Sequence, residues 1–241
     1  MPIQKSNCVL EFPKPDSKTY PFITFQATDK HEAYLTEFDK IGAKVFLQVE
    51  AGMADMKTLM KLVLDRYGHH SCIAGFGADI EWYPSPLDYK GDSVGTLDEW
   101  GVVSNVKAAI SRDTVASLDA YVKSFNPNYR IFLKHWEPHM CASTSFSDVL
   151  YLNSSQGFTS INGMIGSSNQ SWTLAGWDKS FKPNECGYQI GYGGDKSWWK
   201  DLKDPLLDIT KKIDSSFPTQ INHIFWVDFT MYDPLLAEYW K

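Results

Sequence analysis

The sequence predicts an α/β fold in which parallel strands alternate with helices and close into one eight-stranded (β/α)8 barrel of the TIM type. About eight apolar runs have the length and composition of buried strands, and most are separated by stretches with helical periodicity. The chain has 241 residues, a length at which α/β barrels commonly form one domain. We therefore expect residues 1–241 to form a single barrel domain.

Predicted strands and helices alternate along most of the chain. Strands are predicted at 22–26, at 44–52, within the stretch 72–84, and at 129–138, 148–153, 186–194 and 223–229, after a short apolar run at 9–12. Helices are predicted at 30–41, 54–67, 106–125, 172–177 and 201–213. The first β/α unit is irregular, because too few residues separate its two strands for a full helix. A polar loop at 85–98 is long enough to form a lid or a rim of a site.

The charge and hydropathy of the chain argue against several classes of partner. The net charge is −6 and no basic cluster is interleaved with aromatic residues, so we expect no nucleic-acid partner. No apolar run is long enough to span a bilayer, so we expect no membrane partner. The N-terminal residues lack the apolar centre of a signal peptide, although a trimmed signal stays an alternative. We expect a monomer.

The four cysteines indicate reduced thiols. They form no CxxC pair, and Cys8, Cys72 and Cys186 directly precede apolar runs, where cysteine usually behaves as a small buried hydrophobe. Reduced thiols favour a cytoplasmic location. Tryptophan suits a core only where its N–H finds a partner, so we expect some of the nine tryptophans at a binding surface.

The most distinctive stretch is CIAGFGADIEWYP, residues 72–84, in which an apolar run leads into an acidic pair. Side chains alternate along a strand, so Asp79 and Glu81 are predicted to share one face at the strand's end. Aromatic residues follow the pair, a combination that is common where sugars bind. The alternative is that the two carboxylates form salt bridges or lie in solvent as the chain leaves the sheet.

Further polar and aromatic side chains lie at or near the C-terminal ends of the other predicted strands. The candidate binding residues among them are Gln48, Glu50, His135, Trp136, Glu137, Asn153, Gln189, Tyr192, Trp226 and Asp228. In a barrel these strand ends converge on one mouth, where active sites of this architecture lie. Independent salt bridges do not require such agreement, although strand ends that face loops are polar in most α/β proteins.

This set of groups is suited to hydrolysis of a glycosidic bond. The reaction needs an acid that protonates the leaving oxygen and a second group that attacks or stabilises the developing oxocarbenium ion. Glu81 is the candidate acid and Asp79 tunes it, while Glu50 and Glu137 are candidates for the second group. Rings that can stack on sugar faces are those of Trp82, Tyr83, Trp136, Tyr192 and Trp226. For each ring, packing in the core or at the rim is an equally good interpretation.

The acidic stretch resembles the fourth strand of family 18 glycoside hydrolases, the barrel family of chitinases and endo-β-N-acetylglucosaminidases. That family carries D-G-x-D-x-D-x-E there, often followed by Tyr-Pro, and its last Glu is the acid. By this resemblance Glu81 takes the place of the acid, Asp79 that of the preceding Asp and Gly75 that of the motif glycine. IFWVDF, at 224–229, is similar to the eighth strand of that family, with Trp226 in the matching position. The resemblance implies a barrel that hydrolyses glycans.

The chain departs from the family pattern in three places. Ala74 and Gly77 stand where the family has its first and second Asp, and Trp82 is an extra residue before the Tyr-Pro pair. LYLNSS, at 150–155, lacks the M-x-Y-D/N pattern of the sixth strand, whose Tyr helps to hold the substrate's acetamido group. These departures argue against attack by the substrate's own N-acetyl group. A catalytically inactive carbohydrate-binding barrel and a barrel enzyme with a non-sugar substrate are the alternative interpretations.

We expect neither a metal ion nor a cofactor. His135 and His139 are four residues apart, but Pro138 between them prevents one helical face from presenting both imidazoles. The adjacent pair of His69 and His70 is by itself too weak a signal to predict a metal site.

Overall fold

The structure is a computed structural model of the chain, and it describes residues 8–82, 96–97, 103–104, 109–141, 146–219 and 221–227. Most of the polar loop predicted at 85–98 lies outside these residues. The chain divides into two compact units, residues 1–133 and 134–241. The prediction of one domain over residues 1–241 stays a prediction.

The described residues contain the following elements. The strands are β1 (Cys8–Leu10), β2 (Ile23–Phe25), β3 (Val45–Glu50), β4 (Ile73–Asp79), β5 (Thr96–Leu97), β6 (Val103–Ser104), β7 (Arg130–His135), β8 (Val149–Asn153), β9 (Cys186–Ile190) and β10 (Asn222–Trp226). The α-helices are α1 (Glu32–Ile41), α2 (Met56–Tyr67), α3 (Arg112–Phe125), α4 (Ile161–Ile165), α5 (Leu174–Phe181), α6 (Lys196–Trp199) and α7 (Pro205–Ser216). Among the helices of this part of the chain, none combines the length and apolar character that crossing a bilayer needs.

Capping side chains set the beginnings of the long helices. Asp55 precedes α2 and accepts a hydrogen bond from the backbone N–H of Thr58 at 2.8 Å. Ser111 precedes α3 and accepts one from the backbone N–H of Thr114 at 3.1 Å. The prediction that the third helix begins at residue 106 is therefore wrong, because its cap lies at Ser111. Every predicted strand, by contrast, overlaps an observed one.

The first unit contains β3 and β4 as parallel neighbours, with β7 next to β4. Strands β1 and β2 pair with each other in a separate parallel sheet of two strands. Helix α2 buries the apolar stripe that its periodicity predicts, including Leu59, Met60 and Val63. Full burial of such a side chain contributes roughly 1.5–3 kcal/mol relative to exposure, so this stripe anchors the helix.

The second unit contains β8, β9 and β10 as parallel neighbours in that order. Helix α5 packs against β8, where the ring of Phe181 stacks on that of Tyr151 with centroids 4.2 Å apart. The indole N–H of Trp177 donates to the carbonyl of Tyr151 at 2.8 Å, which satisfies the polar atom of a fully buried tryptophan. The stacking of the Tyr151 ring on Phe181 shows that α5 covers the face of β8 that carries Tyr151, and we call it the helix-covered face.

The fold is α/β with parallel strands and helices between them, which confirms the predicted class. Strands β3, β4 and β7 are neighbours in the first unit, β8, β9 and β10 are neighbours in the second, and β1 and β2 pair with each other. The described hydrogen bonding therefore does not include a closed ring of eight strands. The closed barrel stays a prediction.

Candidate functional site

Acidic and amide side chains lie together where β3 and β4 end. In the parallel register Glu50 lies beside Asp79 and Gln48 beside Gly77, so the side chains of Gln48, Glu50 and Asp79 leave the sheet on one face. Asp79 is fully buried, and its Oδ2 accepts a hydrogen bond from Nε2 of Gln48 at 3.3 Å. The buried carboxylate is thereby held to the neighbouring strand.

Glu81 lies beyond the end of β4, so the prediction that it continues the strand is wrong. The strand ends at Asp79, and Ile80–Trp82 form one turn of 3₁₀ helix. The turn is closed by Asp79, whose Oδ1 accepts the backbone N–H of Glu81 at 3.1 Å. Glu81 is half-buried, so it carries the more accessible of the two carboxyl groups.

Glu50 is exposed at the end of β3, close enough to β1 to affect a buried thiol. Burial raises the pKa of Cys8 to about 12, and the negative charge of Glu50 is the smaller cause of the same shift. All four cysteines lie within the described residues, each is buried, and none forms a disulfide. The prediction of reduced thiols is consistent with this arrangement.

Gly77 has no room for a side chain. A Cβ built at this position would lie 2.1 Å from the ring of Phe132, which packs against Phe46 with ring centroids 5.6 Å apart. The family pattern has an Asp at this position. Phe132 occupies the space that such a carboxylate would need, which gives the departure in the sequence a structural reason.

His135 ends β7 and is buried, with 6% of its surface exposed. Its Nδ1 accepts the backbone N–H of Glu137 at 2.8 Å. Burial lowers the pKa of His135 to about 4, and the neighbouring charges of His139 and Lys134 act in the same direction. The imidazole is therefore neutral at pH 7, with its proton on Nε2.

An exposed surface continues from His135 along the chain. Trp136 is 46% exposed and its ring stacks on the His135 ring with centroids 5.8 Å apart. The side chain of Glu137 is partly exposed, and its Oε2 lies 3.1 Å from Nδ1 of His139. This short segment therefore offers a ligand an aromatic face, a carboxylate and an imidazole.

The side chain of Asn153 makes hydrogen bonds within the protein. It lies on the same face of β8 as Tyr151, the helix-covered face, and is fully buried. Its Nδ2 donates to Oγ of Ser155 and to the carbonyl of Trp172, at 3.2 and 3.3 Å, and its Oδ1 accepts the backbone N–H of Ser155 at 3.0 Å. These bonds hold the loop before α5, so a binding role for Asn153 finds no support in its surroundings.

The end of β9 carries a second polar and aromatic group. The hydroxyl of Tyr192 donates to Oε1 of Gln189 at 2.8 Å. The carbonyl of Tyr192 accepts the indole N–H of Trp199 at 3.0 Å, and the Trp199 ring meets that of Trp226 edge to face. Gly191 has a φ of 86°, and a Cβ there would lie 2.3 Å from the Trp226 ring. Trp226 thus packs closely over this turn.

Asp195 is a buried acid that the sequence analysis does not single out. It is 3% exposed, and its Oδ1 accepts the backbone N–H groups of Gly157 and Phe158 at 2.8 and 2.7 Å. Burial raises the pKa of Asp195, while these two hydrogen bonds oppose the shift. It follows the GYGG turn, and no pattern in the sequence links that turn to residues 157 and 158.

Three predicted site residues receive no structural test. Tyr83 and Asp228 lie outside the described residues, and only the backbone of Trp82 is described. The prediction that all the candidate side chains share one pocket stays a prediction.

A cleft of about 850 Å³ lies elsewhere in the first unit. It runs between residues 12–20, helix α2 and Tyr121 of α3, and none of the predicted site residues lines it. Lysines and aspartates alternate along its walls, without a buried catalytic group. The candidate site therefore lies at the strand ends and not in this cleft.

Comparisons with known proteins give little further information. No protein-family model matches the chain, and no curated protein matches it significantly. One solved structure, an intracellular xylanase (TsXylA) from Thermoanaerobacterium saccharolyticum, is similar at 14% identity and a TM-score of 0.29. The match covers 70% of this chain and 53% of the xylanase, so the chain spans about half the length of that enzyme. A likeness this slight assigns neither fold nor activity.

Proposed function

We propose that this protein is a glycoside hydrolase, or a close relative of one, that acts on an oligo- or polysaccharide. One observation carries the proposal: the half-buried Glu81 follows the fully buried Asp79, and Glu50 lies beside Asp79 on the neighbouring strand. Glycosidic hydrolysis uses a pair of carboxyl groups at one site. The proposal includes the closed (β/α)8 barrel over residues 1–241 and the resemblance to family 18.

In this proposal Glu81 is the general acid and Asp79 positions it. One oxygen of Asp79 holds the backbone of Glu81 and the other holds Gln48, so the carboxylate is a fixed acceptor. A fixed negative charge at this point suits an oxocarbenium-like transition state, which is positively charged. Glu50 is the candidate for the second carboxyl group in the first unit.

In the second unit, Trp136 and Glu137 are the predicted binding residues that best retain surface for a ligand. An exposed indole is suited to stacking on the apolar face of a sugar ring, and a carboxylate accepts hydrogen bonds from sugar hydroxyls. Asn153 and Tyr192 are buried and bonded to the chain, which gives them a supporting role.

Carbohydrate binding without hydrolysis is the second candidate function. The packing of Phe132 over Gly77 favours it, because that position cannot hold the second Asp of the family 18 motif. A site that keeps Glu81 and Asp79 but lacks the first and second Asp of the motif can bind a glycan without hydrolysing it.

The first experiment screens the wild-type protein on a glycan array and then measures turnover of each glycan that binds. We expect Glu81→Gln to lower kcat on a responsive glycan by roughly 10²- to 10⁴-fold with little change in binding, because an amide keeps the shape and loses the proton. Glu37→Gln is the matched control, since Glu37 is an exposed glutamate on α1 that pairs with Lys40.

The outcomes separate the candidates. Unchanged turnover in Glu81→Gln removes Glu81 from the mechanism. Binding without turnover in the wild-type protein favours the inactive carbohydrate-binding protein. An array on which no glycan binds contradicts both and favours an enzyme with a non-sugar substrate.

A further inference from the structure

Three potential metal ligands meet next to the start of β4. Glu32 is the first residue of α1, and His69 and His70 lie in the turn between α2 and β4. Oε1 of Glu32 lies 3.3 Å from Nε2 of His70 and 3.6 Å from Nε2 of His69. All three ligand atoms lie within 4.8 Å of one another. We propose that Glu32, His69 and His70 bind a divalent transition-metal ion, for which Zn²⁺ is the best fit.

The strongest indication is an unsatisfied atom. The side chain of His70 is 5% exposed, and its Nε2 is buried and makes no hydrogen bond. A buried polar atom of this kind costs free energy unless it finds a partner, and native structures contain few of them. Oε1 of Glu32 lies 3.3 Å from this atom, and a cation bound between them would satisfy both groups.

Asp39 fixes His70 in the orientation that metal binding needs. Its Oδ2 lies 2.7 Å from Nδ1 of His70, so the proton of the neutral ring lies on Nδ1 and Nε2 carries the lone pair. The other oxygen, Oδ1, accepts from the Ser71 hydroxyl at 2.9 Å and from the Cys72 backbone N–H at 2.7 Å. Metal-binding histidines usually donate their second N–H to a carboxylate in this way.

The donor set selects the kind of metal. Two imidazoles and one carboxylate with an open fourth position are a common zinc set, whereas Ca²⁺ and Mg²⁺ prefer oxygen ligands alone. Ligands about 2.0–2.1 Å from a tetrahedral ion lie roughly 3.3–3.4 Å apart, close to the two distances from Glu32. The side chains of Glu32 and His69 are 42% and 61% exposed, so both can adjust and water can complete the shell.

Bound metal would link two segments that are far apart in the sequence. Glu32 belongs to the N-terminus of α1, and the two histidines precede the strand that leads to Asp79 and Glu81. An ion that binds the folded protein and not the unfolded chain stabilises the fold. This site is independent of the proposed glycan site, because it lies at the other end of β4.

The competing interpretation is an ion pair without metal, in which a protonated His70 lies between Asp39 and Glu32. A protonated ring would carry a proton on Nε2, but this atom makes no hydrogen bond to Glu32. The side chain of His69 would then take no part in the interaction. The two interpretations differ in what happens when His69 is removed.

The test is calorimetric titration of the full, chelator-treated chain with ZnCl₂. We expect one ion to bind per chain in the wild-type protein. Glu32→Gln and His69→Gln should each weaken the affinity at least about tenfold, because each removes one of three ligands. Both side chains are exposed enough for the variants to fold, which circular dichroism checks.

The matched control is His223→Gln, which removes a histidine whose Nε2 lies 2.7 Å from Glu185 in a pair with no second imidazole. It should bind Zn²⁺ like the wild type. Zn²⁺ should also raise the melting temperature of the wild type and of this control, and leave that of Glu32→Gln and His69→Gln nearly unchanged. A wild-type protein that does not bind Zn²⁺, or equal affinity in His69→Gln, overturns the proposal in favour of the ion pair.

Discussion

Two buried histidines of this protein have the same exposure and opposite surroundings. His70, near the start of β4, and His135, at the end of β7, are each 6% exposed. Nδ1 of His70 faces the carboxylate of Asp39, whereas Nδ1 of His135 accepts the backbone N–H of Glu137. The neutral rings are therefore opposite tautomers, with the proton on Nδ1 in His70 and on Nε2 in His135.

The difference shows that the hydrogen-bond partners of two equally buried histidines decide which ring nitrogen carries the proton. His70 is left with a buried lone pair beside a carboxylate and a second imidazole, an arrangement that suits a cation. His135 has an amide donor on Nδ1 and a pKa lowered to about 4, an arrangement that suits a neutral ring.

The largest effect concerns the pH dependence that His135 confers. Its pKa is about 4 in the folded protein against 6.5 for an unperturbed histidine, so between these pH values the unfolded chain binds a proton that the folded protein does not. The free energy of unfolding should fall by about 3 kcal/mol as the pH drops from above 6.5 to 4, and this contribution levels off below 4. His135→Gln should abolish that part of the loss in urea titrations at a series of pH values. His223→Gln, which removes a half-exposed histidine, should keep it, and an unaltered acid loss in His135→Gln would contradict the assignment.

The second effect concerns the carboxylate that orients His70. In Asp39→Asn the single carbonyl oxygen keeps the hydrogen bonds from Ser71 and Cys72, so the NH₂ group faces Nδ1 of His70 and donates to it. The proton of the ring then moves to Nε2, which loses its lone pair. We expect Zn²⁺ affinity to fall by roughly 10- to 100-fold in calorimetric titration, the usual consequence of losing such a partner. Asp65→Asn, at an exposed aspartate that pairs with Lys61, is the control and should bind like the wild type. Equal affinity in Asp39→Asn and the wild type would show that Asp39 does not position a ligand.

The smallest effect concerns the influence of His139 on His135. The positive charge that His139 can carry lowers the pKa of His135, so His139→Ala should move that pKa upward, towards its usual range. Because His139 is exposed, we expect a change of only ~0.3 kcal/mol in the acid loss of stability. Titration of the His135 ring signals by NMR measures the shift directly. An unchanged pKa would mean that His139 takes no part in lowering it.

Local patterns predicted most of the secondary structure. Apolar runs identify β1 to β4 and β7 to β10, and helices α1, α2, α5 and α7 lie near their predicted positions. The prediction fails where a local signal competes with the pattern. Glu81 leaves the strand because Asp79 closes a turn, and α3 begins at Ser111 because that residue caps it.

The candidate site was predictable only in part. The alternation of residues along β3 and β4 places Gln48, Glu50 and Asp79 on one face, and a parallel register makes them neighbours. The hydrogen bonds of Asn153 to the loop before α5 were not predictable, because its partner Trp172 belongs to a distant segment. The same reason explains why Asp195 was missed.

The α/β class, the positions of the strands and the acidic pair follow from the order of the residues alone, since they depend on hydrophobic periodicity and on residues a few positions apart. By contrast, the contact of Phe132 with the space above Gly77 and the approach of Glu32 to His69 and His70 become visible only in the folded chain. Contacts of this second kind depend on how helices and strands pack, and packing brings together side chains whose separation along the chain carries no periodic signal.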